Sequence, residues 1–394
     1  MSDTQGKRQI DISSAKIEVQ RSIENIGMHN WNRCITQSVS PFIDYRFLHA
    51  LENSGCVMNT TGWQPMHLEL RVLDRTVGVM PMYLKAHSMG EFVFDYQWAG
   101  AWENAGGNYY PKLQVCVPFT PVADKRILLA EEYRKQKLES LFTKTIVEIV
   151  EQNALSSAHL TFLDRTQCNR VCASTQFLKR TDTQLHWQNR GYSSFNDFLS
   201  NLSTKKRKNI RRERKLAVNE ALTVEWLTGS DVLESHWDVF YQCYLDTSAR
   251  KWGRPYLNRR FFSLICEMMQ EQILLILAKS SKNYVAGSLH FIGQDVLFGR
   301  NWGCIEHHPF LHFELCYYQA IEYAIHHGLK TIQGGAQGNY KISRGYEPVT
   351  TYSAHYISNQ NFRQAIISFL EDEEEYVRLD HDFLVQSLPF KQDY

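Results

Sequence analysis

Two stretches of the chain, one in each half, pass through the same pattern. His67–Leu84, HLELRVLDRTVGVMPMYL, reads as a strand, turns at Leu73-Asp74-Arg75 and returns; Leu274–Ile292, LLILAKSSKNYVAGSLHFI, does the same around Lys279–Asn283. Short apolar runs bracketing a polar turn are the signal of paired antiparallel strands. In each half a third extended segment follows and ends at a tryptophan, Glu91–Trp98 and Asp295–Trp302. A helix and a strand come next, about Arg126–Ala154 with Ala158–Leu163, and Phe310–His327 with Lys330–Gln333. Each half then closes on another strand, Gln184–Gln188 or Thr350–Ile357. Further helices are expected after Ser40-Pro41, over Val232–Thr247 and Asn258–Gln270, and from about Asn361 to Leu379. Such a repeat predicts an α/β (α+β) chain of two tandem lobes, each a mixed sheet flanked by helices.

The length of 394 residues suits two domains. Polar residues cluster at Ser194–Thr204, so the expected division is a mobile tail over 1–15, a first lobe over 16–200 and a second lobe over 201–394. A net charge of +1 exerts no global pull on nucleic acid or anionic membrane, so any such partner needs a local patch. Nine scattered cysteines without a C-x-x-C read as free thiols in a reducing compartment, with no disulfide framework and no zinc site. The N-terminus lacks an apolar signal, and the longest aliphatic run, Ile273–Ala278, is far short of the roughly 20 residues of a membrane span. The expectation is a cytoplasmic protein.

Four segments could carry chemistry. Lys205–Lys215, KKRKNIRRERK, has eight basic residues in eleven and no glycine or proline, with Ser203 or Thr204 to cap it. It predicts a helix in which Lys205, Lys206, Arg207, Lys208, Arg211 and Arg212 dock phosphates. Arg300-Asn301-Trp302-Gly303-Cys304-Ile305 ends a strand shortly before a helix, where exposed N–H groups can meet an anion. In EHHPFLHFELCYY, His308 and His312 are four apart and Glu314 is near. The spacing lacks H-E-x-x-H, so no metal is expected there; His312 or Glu314 is instead a candidate base for an attacking amine. Finally Gly334–Pro348, GGAQGNYKISRGYEP, packs glycines, Gln337, Lys341, Arg344, Tyr340 and Tyr346 into one ligand-lining loop. Neither G-x-S-x-G, a Walker loop nor G-x-G-x-x-G occurs, and Cys304 or Cys316 beside a histidine stays open as a nucleophile.

SPFIDYRFLHALENSG, GWQPMHL, YYPKLQVCVPFTP, STKKRKNIRRERK, LHFELCYYQAIEYAI and GGAQGNYKISRGYEP resemble the peptidoglycan biosynthesis/recognition proteins of the GNAT superfamily, from about residue 16 to 390. That family is similar to the Fem-type aminoacyltransferases, which carry two GNAT-like lobes. The resemblance implies an N-acyltransferase that moves an acyl or aminoacyl group from acyl-CoA or aminoacyl-tRNA to an amine, on a small molecule, a peptide or a peptidoglycan-precursor-like acceptor. GNAT enzymes hold the CoA pyrophosphate with R/Q-x-x-G-x-G/A; Arg300 and Gly303 fit, and Ile305 replaces the last small residue.

The expected mechanism is direct transfer, without a covalent enzyme intermediate, in a cleft between the lobes. Trp302 and Tyr346 wall it, Arg300, Lys341 and Arg344 hold phosphate or carboxylate, Glu314 or His312 takes the proton, and N–H groups beside Gly303 meet the carbonyl oxygen. A splayed strand pair beside Gly303 favours CoA, whereas a closed one favours another donor. The rival expectations are a non-catalytic RNA-binding module using the basic helix and a protein that recognises cell-wall fragments.

Overall fold

Residues 273–278 set the scale of the second half. Ile273, Leu275 and Leu277 enter the core on one face of a sheet, and Leu274, Ile276 and Ala278 the core on the other. A strand apolar on both faces must be covered on both, so helices flank it on each side. The computed structural model describes residues 14–35, 40–134, 138–174, 176–218, 222–251, 254–336 and 338–391. Residues 1–13 of the expected tail, and Gln337, lie outside the described residues.

The strands of the first half are β1 Lys16–Gln20, β2 Trp63–Pro65, β3 His67–Val72, β4 Arg75–Met80, β5 Met82–Lys85, β6 Lys112–Val115, β7 Leu128–Leu129, β8 Ser157–Leu163 and β9 Leu178–Gln188. The second half adds β10 Leu222–Thr228, β11 Ile273–Ser280, β12 Asn283–Ile292, β13 Val296–Cys304, β14 Thr331–Gln333 and β15 Tyr346–Ile357. A small sheet has the order β1-β3-β4-β7; a large one runs β10-β11-β12-β13-β14-β9-β15-β8-β6-β5-β2. Pro81, which has no N–H to donate, stands where the chain leaves the small sheet for the large one.

The duplication is visible in the large sheet. The series β5-β6-β8-β15 pairs antiparallel, parallel, antiparallel, and so does β12-β13-β14-β9. Each unit takes its last strand from the other half of the chain. The two exchanged strands pair with each other from Tyr346↔Trp187 to His355↔Leu178, so the expected pair of sheets is joined edge to edge into one. Position 200/201 falls after the short helix Phe195–Ser200, between β9 and the basic helix Thr204–Ala217.

Other expectations are corrected locally. Glu91–Trp98 is no strand: Gly90 and Phe92 take positive φ, the Glu91 and Asp95 carboxylates turn inward to Lys112, and a helix starts at Tyr96. The helix expected from Arg126 runs over Glu139–Gln152, because Arg126 is buried and β7 follows it. Pro41–Ile43 is a 3₁₀ turn, and the helix after it, Tyr45–Asn53, is capped by Asp44. The helix expected over Phe310–His327 contains a π-helical turn, Glu314–Tyr318.

Candidate functional site

β13 and β14 run parallel for Val296–Phe298 against Thr331–Gln333, then part. From Gly299 onward, β13 faces Gly334-Gly335-Ala336 across a cleft of about 220 Å³. The cleft lies inside the second unit's sheet, and its walls come from both faces. Tyr244 and Tyr256 pack with the core on one face, while Tyr317, Trp302 and Cys316 pack with the core on the other; all five line the cleft. Phe119 and Pro121 of the first half complete it, with the Phe119 ring stacked on Tyr256 at 5.0 Å.

Two cations stand at this opening. The Arg300 guanidinium lines the cleft, donates to the Phe119 carbonyl and lies 5.4 Å from the Phe42 ring centroid. Among the described residues it has no carboxylate within ion-pair distance, and burial pulls its pKa down to about 10. Lys341 lies one layer back. Its Nζ donates to the Gly335 carbonyl at 2.8 Å, and a Cβ on Gly334 would stand 3.3 Å from its Cε. Burial without an acid partner lowers the Lys341 pKa to about 8.

Trp302 and His312 line the opening together, their rings 5.2 Å apart. Tyr346 is buried behind Gly334, 5.5 Å from the Tyr317 ring, so it backs the wall and does not form it.

Three expectations are overturned by placement. Arg344 does not face the cleft: it pairs with Glu213 at 2.7 Å, donates to the Tyr340 carbonyl and lies 3.5 Å from the Phe313 ring centroid. Glu314 is buried against the basic helix, bonded to Arg214 at 2.8 Å and to Gln319 at 2.7 Å, because the π-helical turn sends it away from the side on which Cys316 and Tyr317 meet the cleft. Gly303 is paired with Gly287 in the sheet, and a Cβ there would come within 2.1 Å of the Cys243 carbonyl oxygen. Its lack of a side chain therefore admits the helix Glu234–Lys251 and not a ligand.

Residues 22–392 match the FemAB-like family, described as peptidoglycan biosynthesis/recognition. The chain belongs to the FemAB-like family. Among solved structures, FemX is 11% identical and aligns over 89% of this chain and 99% of its own, with a TM-score of 0.52. The C-terminal domain of a putative lysylphosphatidylglycerol synthetase from Agrobacterium fabrum is 8% identical, covers 88% and 96%, and reaches 0.53. A tandem GNAT protein from the clavulanic acid biosynthesis pathway is 7% identical, covers 88% and 99%, and reaches 0.49. At these identities the likeness to FemX and to the synthetase domain is one of fold. No curated protein matches the chain in sequence.

In this FemAB-like protein the loop after β13 differs from a pyrophosphate cradle. The Ile305 amide is engaged by the Val285 carbonyl at 2.9 Å, Arg250 occupies the Cys304 carbonyl, and the Ile305 side chain is exposed. The split in the first unit is filled. Past the parallel pairing of Leu113–Val115 with Ala158–Leu160, the buried Arg126 donates to the Thr161 and Val122 carbonyls.

The basic helix of the FemAB-like chain forms where expected, over Thr204–Ala217. Ile210 and Ala217 anchor it, with Glu213 and Arg214 held by partners on the second unit. Lys205, Lys208, Arg211 and Arg212 are exposed, Lys206 and Arg207 half-buried, and none of the six makes an ion pair among the described residues. Among the described residues no helix is long and apolar enough to cross a membrane, and no three His, Cys, Asp or Glu side chains gather as a metal site.

Several cleft residues escaped sequence reasoning: Phe119, Tyr244, Tyr256, Ser288 and His290. A signal existed for two of them. Ser288 and His290 are polar positions two apart in an otherwise apolar strand, which puts both on one face. Phe119 and Tyr256 come from loops and Tyr244 from the helix Glu234–Lys251, all distant in sequence, and nothing local announces them.

Proposed function

We propose that this FemAB-like protein transfers an acyl or aminoacyl group from a CoA- or tRNA-type donor to an amine, on a peptidoglycan-precursor-like, peptide or small-molecule acceptor. One observation carries the reading: a cleft where β13 and β14 part, lined from both faces of the sheet, with a half-buried cation in its wall that has no acid partner among the described residues. A transfer reaction needs two molecules to meet at one carbonyl, and a cleft walled by residues of both halves of the chain can hold them together. Arg300 holds a phosphate or carboxylate of one substrate, and the Lys341 ammonium favours negative charge developing beside Gly335. His312, at the cleft with Trp302, takes the proton of the attacking amine.

The parting of β13 and β14 favours a CoA-type donor, whereas the engaged Ile305 amide weighs against its grip by that loop, and the basic helix's cations, without ion pairs among the described residues, favour a donor carrying many phosphates, such as tRNA. The two halves, divided at 200/201, act as one body in the cytoplasm, since the first supplies Phe119 and Pro121 to the second's cleft.

The test presents acetyl-CoA and charged tRNA, side by side, with diaminopimelate-containing peptides as amine acceptors, and reads acyl transfer by mass. Transfer from at least one donor, lost in Arg300→Met, is the expected result. Salt-sensitive tRNA binding without turnover of either donor would turn the assignment to a non-catalytic RNA-binding protein.

A further inference from the structure

The long helix Gln360–Gln386 carries two rows of apolar side chains. One row, Phe362, Ile366, Leu370 and Leu384, is buried, and the helix packs on β9 and β15. The second row is Tyr376, Leu379 and Phe383, at spacings of three and four, with 70%, 54% and 65% of each residue exposed. Exposed acids stand beside it at the same spacings, namely Asp372, Glu375 and Asp382. Asp372 and Glu375 make no ion pair among the described residues. A helix needs only one apolar face to pack on its own sheet. Three large side chains aligned in water beside that face mark a contact surface.

The basic helix Thr204–Ala217 carries the complement. Lys205, Lys208, Arg212 and Lys215 are exposed and follow one another at spacings of three and four, and the exposed Leu216 stands one turn after Arg212. Like charges stacked along one helix face are mutually destabilising, and cations in a helix's first turn also oppose its macrodipole. A surface of opposite sign relieves both helices at once. The two lie close together in the fold: Ile210 and Leu384 enter the same core, Leu202 pairs with Phe390, and the Ser203 amide donates to the Pro389 carbonyl at 2.9 Å. The end of the acidic helix is thus beside the start of the basic one. Yet among the described residues no ion pair joins the two helices within one chain.

We infer that these two helices form the docking surface for a second copy of this chain, the acidic, ring-bearing helix of each copy lying on the basic helix of the other. A twofold axis makes the two contacts equivalent and closes the assembly at two chains. Tyr376, Leu379 and Phe383 supply the affinity, since large apolar side chains leave water at the centre of the contact. The charges choose the partner: two acidic helices repel each other, as do two basic ones, and only the crossed pairing brings opposite signs together. This pairing is independent of the transferase reading. It shares the helix cations with any polyanion, so a second copy and a phosphate-rich ligand exclude one another there.

The test is sedimentation equilibrium of the full chain from low to high micromolar concentration. The expected result is a mass that rises to that of two chains and falls back toward one as salt is added, because screening weakens the charge pairing. Phe383→Asp, at an exposed position, should raise the dissociation constant about tenfold or more. Two charge-reversed proteins decide the geometry. Asp372→Lys with Glu375→Lys makes both helices basic, Lys208→Glu with Arg212→Glu makes both acidic, and each protein alone should stay a single chain. Mixed together they should pair again, since every crossed contact then joins opposite signs. A wild type that remains one chain at every concentration overturns the inference, and so does a mass that grows past two chains. A dimer that Phe383→Asp leaves intact, or reversed proteins that fail to pair on mixing, places the contact elsewhere and overturns it equally.

Discussion

Glu213 Oε2 on the basic helix and Arg344 Nη2 on the segment after the glycine-rich turn lie 2.7 Å apart, with 14% and 6% of their side chains exposed. The same carboxylate accepts from the Tyr318 hydroxyl. Through this contact the start of the second half is fastened to the segment that carries Lys341. The sequence suggested Arg344 as a cation for a ligand's phosphate or carboxylate; the fold uses it to hold the helix.

Breaking that pair leaves a buried guanidinium uncompensated, which costs about 3–5 kcal/mol. Glu213→Ala should therefore lower the unfolding free energy by about 3 kcal/mol in urea titrations. Replacing both partners, Glu213→Leu with Arg344→Met, should recover most of the loss, because the desolvated charge goes too. Equal destabilisation in the single and double variants would show that the ion pair is not the reason.

Arg300 should behave in the opposite way. Its side chain donates to one carbonyl and pairs with no acid among the described residues, so its removal should weaken a ligand more than the fold. A charge-assisted hydrogen bond contributes about 1.5–3 kcal/mol, so Arg300→Met should raise the KM or Kd for an anionic substrate by roughly ten- to a hundredfold. Calorimetric titration and thermal melting on the same sample separate the two effects. A shifted melting temperature with unchanged affinity would assign Arg300 to packing.

Lys341 gives a pH dependence of definite sign. Its pKa is 10.5 in an unfolded reference and about 8 in the fold. Below about pH 8 both states are protonated and the burial cost is borne in full; between about 8 and 10.5 the unfolded chain binds more proton than the folded one, so this group's contribution rises with pH. The total is on the order of 3 kcal/mol. Stability curves of the wild type and Lys341→Met should converge as the pH climbs through that window. A constant difference between them would rule the linkage out.

The exposed cations of the basic helix should matter to polyanions and not to folding. Changing Lys205, Lys208, Arg211 and Arg212 to Gln should leave the melting temperature nearly unaltered, since surface charges contribute little to stability. The salt dependence of tRNA binding should flatten by about 0.7–0.9 in log–log slope for each lost phosphate contact. Unchanged slopes would assign the helix a purely solvated role.

Local chemistry carried much of the architecture. The unbroken aliphatic run Ile273–Ala278, the cationic run after Ser203 and the second half's meander each follow from interactions within a few residues, and each appears as an element where expected. The cleft was legible through Arg300, Trp302, His312 and the glycines after β14, all of which the fold brings to one opening.

What the chain by itself determined was which segments are strands and helices, because hydrophobic period and capping act over short range. Tertiary structure decided which polar groups meet. A π-helical turn sent Glu314 to Arg214 and brought Cys316 to the cleft, and the pressure of the helix Glu234–Lys251 explains Gly303. The exchange of β9 and β15 joined two sheets that a repeat alone would keep apart. Those outcomes depend on partners tens to more than a hundred residues away, and no short-range pattern encodes them.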